Sequence, residues 1–214
     1  ASPETRARAI AEVGAVLRRL HAVPIPAGAV PADPRALLGR LLASLADALV
    51  PSFVRDAAAR ALAEPAPPAE RAIVLSHNDV NPSNLVWDGE RVLLLDWDTA
   101  APNDPMYDVA TIAVFLRLDD AGACALLEAY DGAAPPAPPA AFVYWRRLVA
   151  ALCGSAFLHV ARQMGHPGRA DATLASTLDL AGLYAQMRSG AVAIATAEGR
   201  WLFGLALIKA SFAA

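Results

Sequence analysis

His77, Asp79, Asn84 and Asp96 lie at spacings of two, five and twelve residues in the stretch VLSHNDVNPSNLVWDGERVLLLDWD, residues 74–98. An imidazole, two carboxylates and a carboxamide in one short segment suit in-line phosphoryl transfer. There a carboxylate accepts the proton of the attacking hydroxyl, and an amide oxygen with a second carboxylate holds Mg2+ against nucleotide phosphates. A five-residue gap lets Asp79 and Asn84 face one site from one tight loop.

The elements that must position these residues are legible around them. Asn78, Asn81, Pro82, Ser83 and Asn84 form a polar segment that propagates neither helix nor strand. Leu85, Val86 and Trp87 read as a short strand, and Val92 to Leu95 as its partner, buried on both faces. Asp88-Gly89 supplies the tight turn between them. The resulting hairpin carries Asp96 back beside Asn84.

Composition narrows the function class. At 214 residues, 56% hydrophobic and 18% charged, the chain reads as one domain with a substantial core. A net charge of −3 argues against a nucleic-acid partner. Cys124 and Cys153 lack metal-ligand spacing and read as buried free thiols of a reducing compartment, and His159 and His166 have no partners at such spacing. No secretory signal is evident. The most apolar run, Trp201 to Ile208, is too short to span a bilayer and is bracketed by Glu198, Arg200 and Lys209, so it reads as a buried terminal helix. The expected location is cytoplasmic, without membrane attachment.

Outside the hairpin the pattern is helical. Ser2-Pro3-Glu4 opens a helix to about Val23 with Ile10, Val13, Leu17 and Leu20 in one stripe. Asp33-Pro34 starts a second, with Leu37, Leu38, Leu41, Leu42, Leu45 and Leu49 on its buried side. Further helices are expected over 51–62, from Asp104-Pro105 to Phe115, from Asp119 or Asp120 to Tyr130, over 140–164, over 171–188 and over 195–212. No repeat of solenoid period appears.

His77-Asn78-Asp79 with Asn84, followed by Asp96-Trp97-Asp98 and by Asp104-Pro105 with Asp108-Val109-Ala110, resembles the aminoglycoside phosphotransferase and choline kinase family, which has the protein-kinase-like fold. The resemblance is specific from about Leu75 to Phe115. It implies an α+β, mostly α fold: the large, C-terminal kinase lobe, with one small β-hairpin carrying the catalytic and metal-binding loops. It also implies roles. Asp79 would be the catalytic base, Asn84 and Asp96 the ligands of Mg2+ and ATP (or GTP), His77 a brace for the loop, and Asp108 a structural tie from the next helix. Asn78 stands where protein kinases carry an arginine that couples to a phosphorylated activation loop, which favours a small-molecule substrate.

The resemblance also marks what is missing from these residues. Thirteen glycines nowhere form G-x-G-x-x-G, and the only lysine is Lys209. Residues 1–214 are therefore expected to be the C-terminal lobe alone, beginning just after the interlobe hinge, with its N-terminal nucleotide-binding lobe as the missing partner. Such a lobe by itself is expected to bind nucleotide weakly, show no measurable turnover, and tend to dimerise or need a partner, because the surface the other lobe covers is left exposed.

For the substrate hydroxyl, the acidic set Asp79, Asp96, Asp98 and Asp104 suits a cationic metabolite or drug such as an aminoglycoside or choline. Asp98, Asn81, Tyr144 and Trp145 are candidate contacts, the last two as an aromatic wall for a quaternary ammonium. Arg146 and Arg147 beside them read equally well as a solvated face. Two rival readings stand against this. One is a non-catalytic kinase-like binding module. The other is a haloacid-dehalogenase-type phosphatase with Asp96 as nucleophile and Asp98 two residues on. That motif wants Thr or Val where Ala100 stands.

Overall fold

Apolar spacing and caps place most helices where the sequence puts them. In a computed structural model that describes residues 3–46, 49–68, 71–88 and 90–213, the chain runs through α1 (Pro3–His21), α2 (Pro34–Ser44), α3 (Ser52–Ala63), β1 (Val74–Ser76), β2 (Leu85–Trp87), β3 (Val92–Leu94), β4 (Ala101–Asn103), α4 (Pro105–Phe115), α5 (Asp120–Asp131), α6 (Ala140–Gln163), α7 (Leu180–Arg188) and α8 (Ala197–Ala210). The cap expected at Ser2 lies outside the described residues. Asp33, Asp104, Asp119, Asp179 and Thr196 each accept a backbone N–H at a helix start, satisfying a donor the first turn leaves unpaired.

The chain divides into two compact units, Ala1–Ala32 with Ala66–Arg146, and Asp33–Pro65 with Arg147–Ala214. In the first, Ile10, Val13 and Leu17 of α1 pack with Met106, Val109 and Ile112 of α4, Leu126 and Leu127 of α5, and Phe142. Every residue of α4 is buried. A helix apolar all round belongs at the centre of a core, and α4 takes the carboxylate of Asp108 there with it. In the second, Phe53, Val54 and Ala57 pack with Leu158, Trp201, Leu205 and Ile208.

The expected class holds: mostly helical, with small antiparallel sheets. Several details differ. The sheet is not one hairpin but two two-stranded pairs among the described residues, β2 with β3 and β1 with β4, the latter in the register Val74 to Asn103. β3 is not buried on both faces. Val92 is buried, but Leu93 is 38% exposed, because only one face of the hairpin meets the core. Leu37 is exposed and α2 ends at Ser44, which leaves the buried Leu45 beyond the helix. Residues 171–179 do not extend α7. There Thr173 and Ser176 bond to each other's backbone and side chain, which competes with the helical ladder, and Asp179 starts the helix instead.

Two further expectations need correction. Cys124 and Cys153 are half-buried, not buried, and form no disulfide. The described helix long and apolar enough to cross a bilayer is α6, not the C-terminal run. Leu148 to Leu152 of α6 are all buried inside the protein, as in a core helix.

Candidate active site

The centre of the site is the turn between β1 and β2. β1 delivers His77 into the core, fully buried. Its Nε2 lies 2.9 Å from the Leu95 carbonyl, which can only accept, so Nε2 carries the proton. Nδ1 is then the acceptor for the Asp79 N–H at 3.3 Å. The imidazole thus braces the backbone of Asp79 from one side and the end of β3 from the other.

Asp79 is held at both carboxylate oxygens. Asn81 Nδ2 donates to Oδ1 at 2.8 Å, and Asn84 Nδ2 donates to Oδ2 at 2.9 Å and to the Asp79 carbonyl at 2.9 Å. A 3-10 turn over Pro82–Asn84, capped by Asn81, folds the five-residue gap back so that these amides reach Asp79. The carboxylate plane is fixed, while each oxygen keeps a further lone-pair direction for a substrate proton.

The hairpin then returns the chain. Asp88 accepts the N–H groups of Glu90 and Arg91 at 2.9 Å on one oxygen, and these bonds hold its carboxyl below the usual carboxylate range. Gly89 lies outside the described residues. Leu94 pairs with Leu85, and Leu95 N–H bonds the Asn84 carbonyl at 2.9 Å, so Asp96 leaves the strand next to Asn84. Asp96 adopts φ +61, a left-handed conformation that Asp tolerates better than most residues and that marks an imposed geometry. By this register Asn84, Val86, Leu93 and Leu95 share one face of the hairpin. Val86, Leu93 and Leu95 are exposed on it.

Whether Mg2+ suits this set is decided by its donors. Asn84 commits its Nδ2 to Asp79, and neither its Oδ1 nor the exposed carboxylate of Asp96 has a protein partner among the described residues. Both are hard oxygen donors. No group of three or more His, Cys, Asp or Glu among the described residues is placed to hold a metal ion by itself. Two oxygens without a full protein cage fit an ion that takes substrate phosphates and water for the rest of its shell.

Asp108 lies at the bottom of the site, fully buried in the first turn of α4. It accepts the His77 N–H at 2.8 Å and the Asn78 N–H at 2.9 Å, one on each oxygen. Sequence reading missed the third partner: His21 Nε2, 3.1 Å from Asp108 Oδ2, with the hydroxyl of Tyr130 2.7 Å from His21 Nδ1. His21 falls four residues after Leu17 on the buried stripe of α1. A polar residue at a stripe position was the signal.

The remaining candidates are spread out. Asp98 is exposed after Asp96, and Asn81 is half-buried beside Asp79. Tyr144 is buried, and Trp145 packs edge-on against Tyr107 with centroids 5.5 Å apart. The aromatic exposed at the site is Trp97, 46% exposed and 4.8 Å from the His77 ring. Arg146 and Arg147 pair with Asp120 and Glu64. The phosphatase reading fails on topology: β3, which precedes Asp96, belongs to an antiparallel hairpin, and the described residues contain no parallel sheet.

The profile of the phosphotransferase enzyme family matches residues 1–144. Protein LicA of Haemophilus influenzae is 39% identical over 54 residues, 25% of this chain and 20% of LicA. Three solved structures share the fold. A choline/ethanolamine kinase family protein from Mesorhizobium loti has TM-score 0.60 and 20% identity over 96% of this chain and 67% of its own. Choline kinase LicA from Streptococcus pneumoniae has TM-score 0.56 and 17% identity over 76% and 58%. Macrolide 2'-phosphotransferase MphH from Brachybacterium faecium has TM-score 0.53 and 25% identity over 75% and 57%. The match therefore spans a fifth of its curated relative, and the chain covers little more than half of two of the solved ones.

Proposed function

The chain belongs to the phosphotransferase enzyme family, and on that premise we propose that it carries the catalytic loop of a kinase that moves the γ-phosphoryl group of ATP or GTP to a hydroxyl of a small cationic molecule. The observation that carries this reading is the doubly held carboxylate of Asp79, bonded to Asn84, whose carbonyl pairs with the Leu95 N–H just before Asp96.

Asp79 accepts the hydroxyl proton as the substrate oxygen bonds to the γ-phosphorus and the bond to the bridging oxygen of the nucleoside diphosphate breaks. Asn81 and Asn84 keep the carboxylate turned toward that hydroxyl, and His77 keeps its backbone in place. Positioning of this kind supplies much of the rate in phosphoryl transfer, where the protein makes no covalent bond. Asn84 Oδ1 and the Asp96 carboxylate would hold Mg2+, whose chemistry is to neutralise charge on the phosphates. Val86 and Leu93, on the same hairpin face as Asn84, offer an apolar floor for the nucleotide base.

A cationic acceptor is favoured by Trp97 and Asp98, an exposed indole and an exposed carboxylate on consecutive residues. The named relatives include a choline kinase and a macrolide phosphotransferase. The test is a nucleotide-consumption screen of the full-length protein against choline, ethanolamine, amino sugars and uncharged sugar alcohols. Consumption that depends on a cationic acceptor is expected. No acceptor-dependent consumption across the panel would contradict the reading.

A further inference from the structure

Asn78 has no part in the chemistry above, yet its bonding is the most complete in the site. It sits at φ +63, a left-handed conformation that Gly, Asn and Asp enter far more readily than other residues. Its Nδ2 donates to the carbonyls of Thr99 at 3.0 Å and Ala101 at 3.1 Å, and more loosely to Ser76 at 3.3 Å. Its Oδ1 accepts from Asn103 Nδ2 at 2.7 Å. Asn103 Oδ1 accepts the Asp104 N–H at 2.8 Å, and Asp104 caps α4. α4 carries Asp108, whose Oδ1 accepts the Asn78 N–H. The ring of bonds closes on the residue where it began. Alongside it Thr99 Oγ1 donates to the His77 carbonyl at 2.9 Å.

We propose that Asn78 is a positioning residue. Its carboxamide staples the segment 99–103 to the catalytic loop and so fixes the carboxylate of Asp79. The residue type follows from the geometry. Glycine accepts the φ angle but leaves the Thr99 and Ala101 carbonyls without their donor. Aspartate accepts the angle and the shape but cannot donate. Alanine satisfies neither requirement. The catalytic part of the proposal rests on Asp79 being the base; the staple itself does not.

Two measurements on the full-length protein separate these parts. The first is amide hydrogen exchange in wild type, Asn78→Gly and Asn103→Ala. Exchange across 77–79 and 98–103 is expected to speed up at least about tenfold in both variants, as local opening loses its hydrogen bonds, with α5 and α6 unchanged. Unchanged exchange in 98–103 would overturn the staple. The second is steady-state kinetics with Mg-ATP and choline. kcat is expected to fall at least about tenfold in Asn78→Gly at unchanged nucleotide KM, with no rescue by Asn78→Asp. An undiminished kcat would overturn the positioning role. Absence of wild-type turnover with choline and with every other acceptor of the panel would contradict the proposed function and leave the exchange result to decide the staple.

Discussion

Tyr130 ends a buried chain of polar contacts that reaches the backbone of the candidate catalytic turn through His21 and Asp108. Burial pushes its phenol up to about 12, and the nearby Arg71 only partly offsets this. The folded chain therefore holds the proton over a range in which the unfolded chain, ionising near 10.0, has lost it. Stability is intact below that lower value and falls as pH rises through the higher one. An ultraviolet difference titration of wild type against Tyr130→Phe should place this phenol near 12, and a midpoint near 10 would show that it is not buried as described. Asp79, Asn84 and Asp96 were readable because their spacing is local. His21 and Tyr130 were not, because their bonds join residues 87 and 109 positions apart. Asn103 was missed for a related reason: its partner Asn78 lies on another strand's exit.

Helix contacts set where that polar chain can reach. α1 and α5 approach so closely that a Cβ on Gly14 would lie 2.6 Å from Ala129 Cβ and 3.0 Å from the Tyr130 nitrogen. Gly14→Ala should therefore destabilise the chain by about 1–3 kcal/mol in urea unfolding, since packed backbone cannot yield as a side chain does. Gly39 in α2 has nothing within 4 Å of its Cβ position, so Gly39→Ala should instead stabilise by roughly 0.5–1 kcal/mol. Equal effects at the two positions would contradict the packing. At this scale the sequence showed most helices, because periodicity and Asp caps are local signals. It did not show β1 with β4, a pair of three-residue strands whose partners are supplied only by the tertiary fold. Nor did it separate 171–179 from α7, since the hydroxyl bonds of Thr173 and Ser176 are invisible to an apolar pattern.

The molecule as a whole places its candidate catalytic turn within one of two compact units, tied through Asp108 to the buried α4. The family and the class of fold were legible in residues 75–115, where motif spacing reflects a site and not merely a core. The acceptor was not, because an acidic, partly aromatic surface specifies charge and not shape. The central claim is that the Asp79 carboxylate takes the hydroxyl proton. It is tested most directly by γ-phosphoryl transfer in the full-length protein and its Asp79→Asn variant, with nucleotide affinity measured alongside. The variant should keep its nucleotide affinity and lose about 10²–10⁴-fold in turnover, the usual contribution of a positioned general base. Turnover like that of the wild type would contradict the assignment.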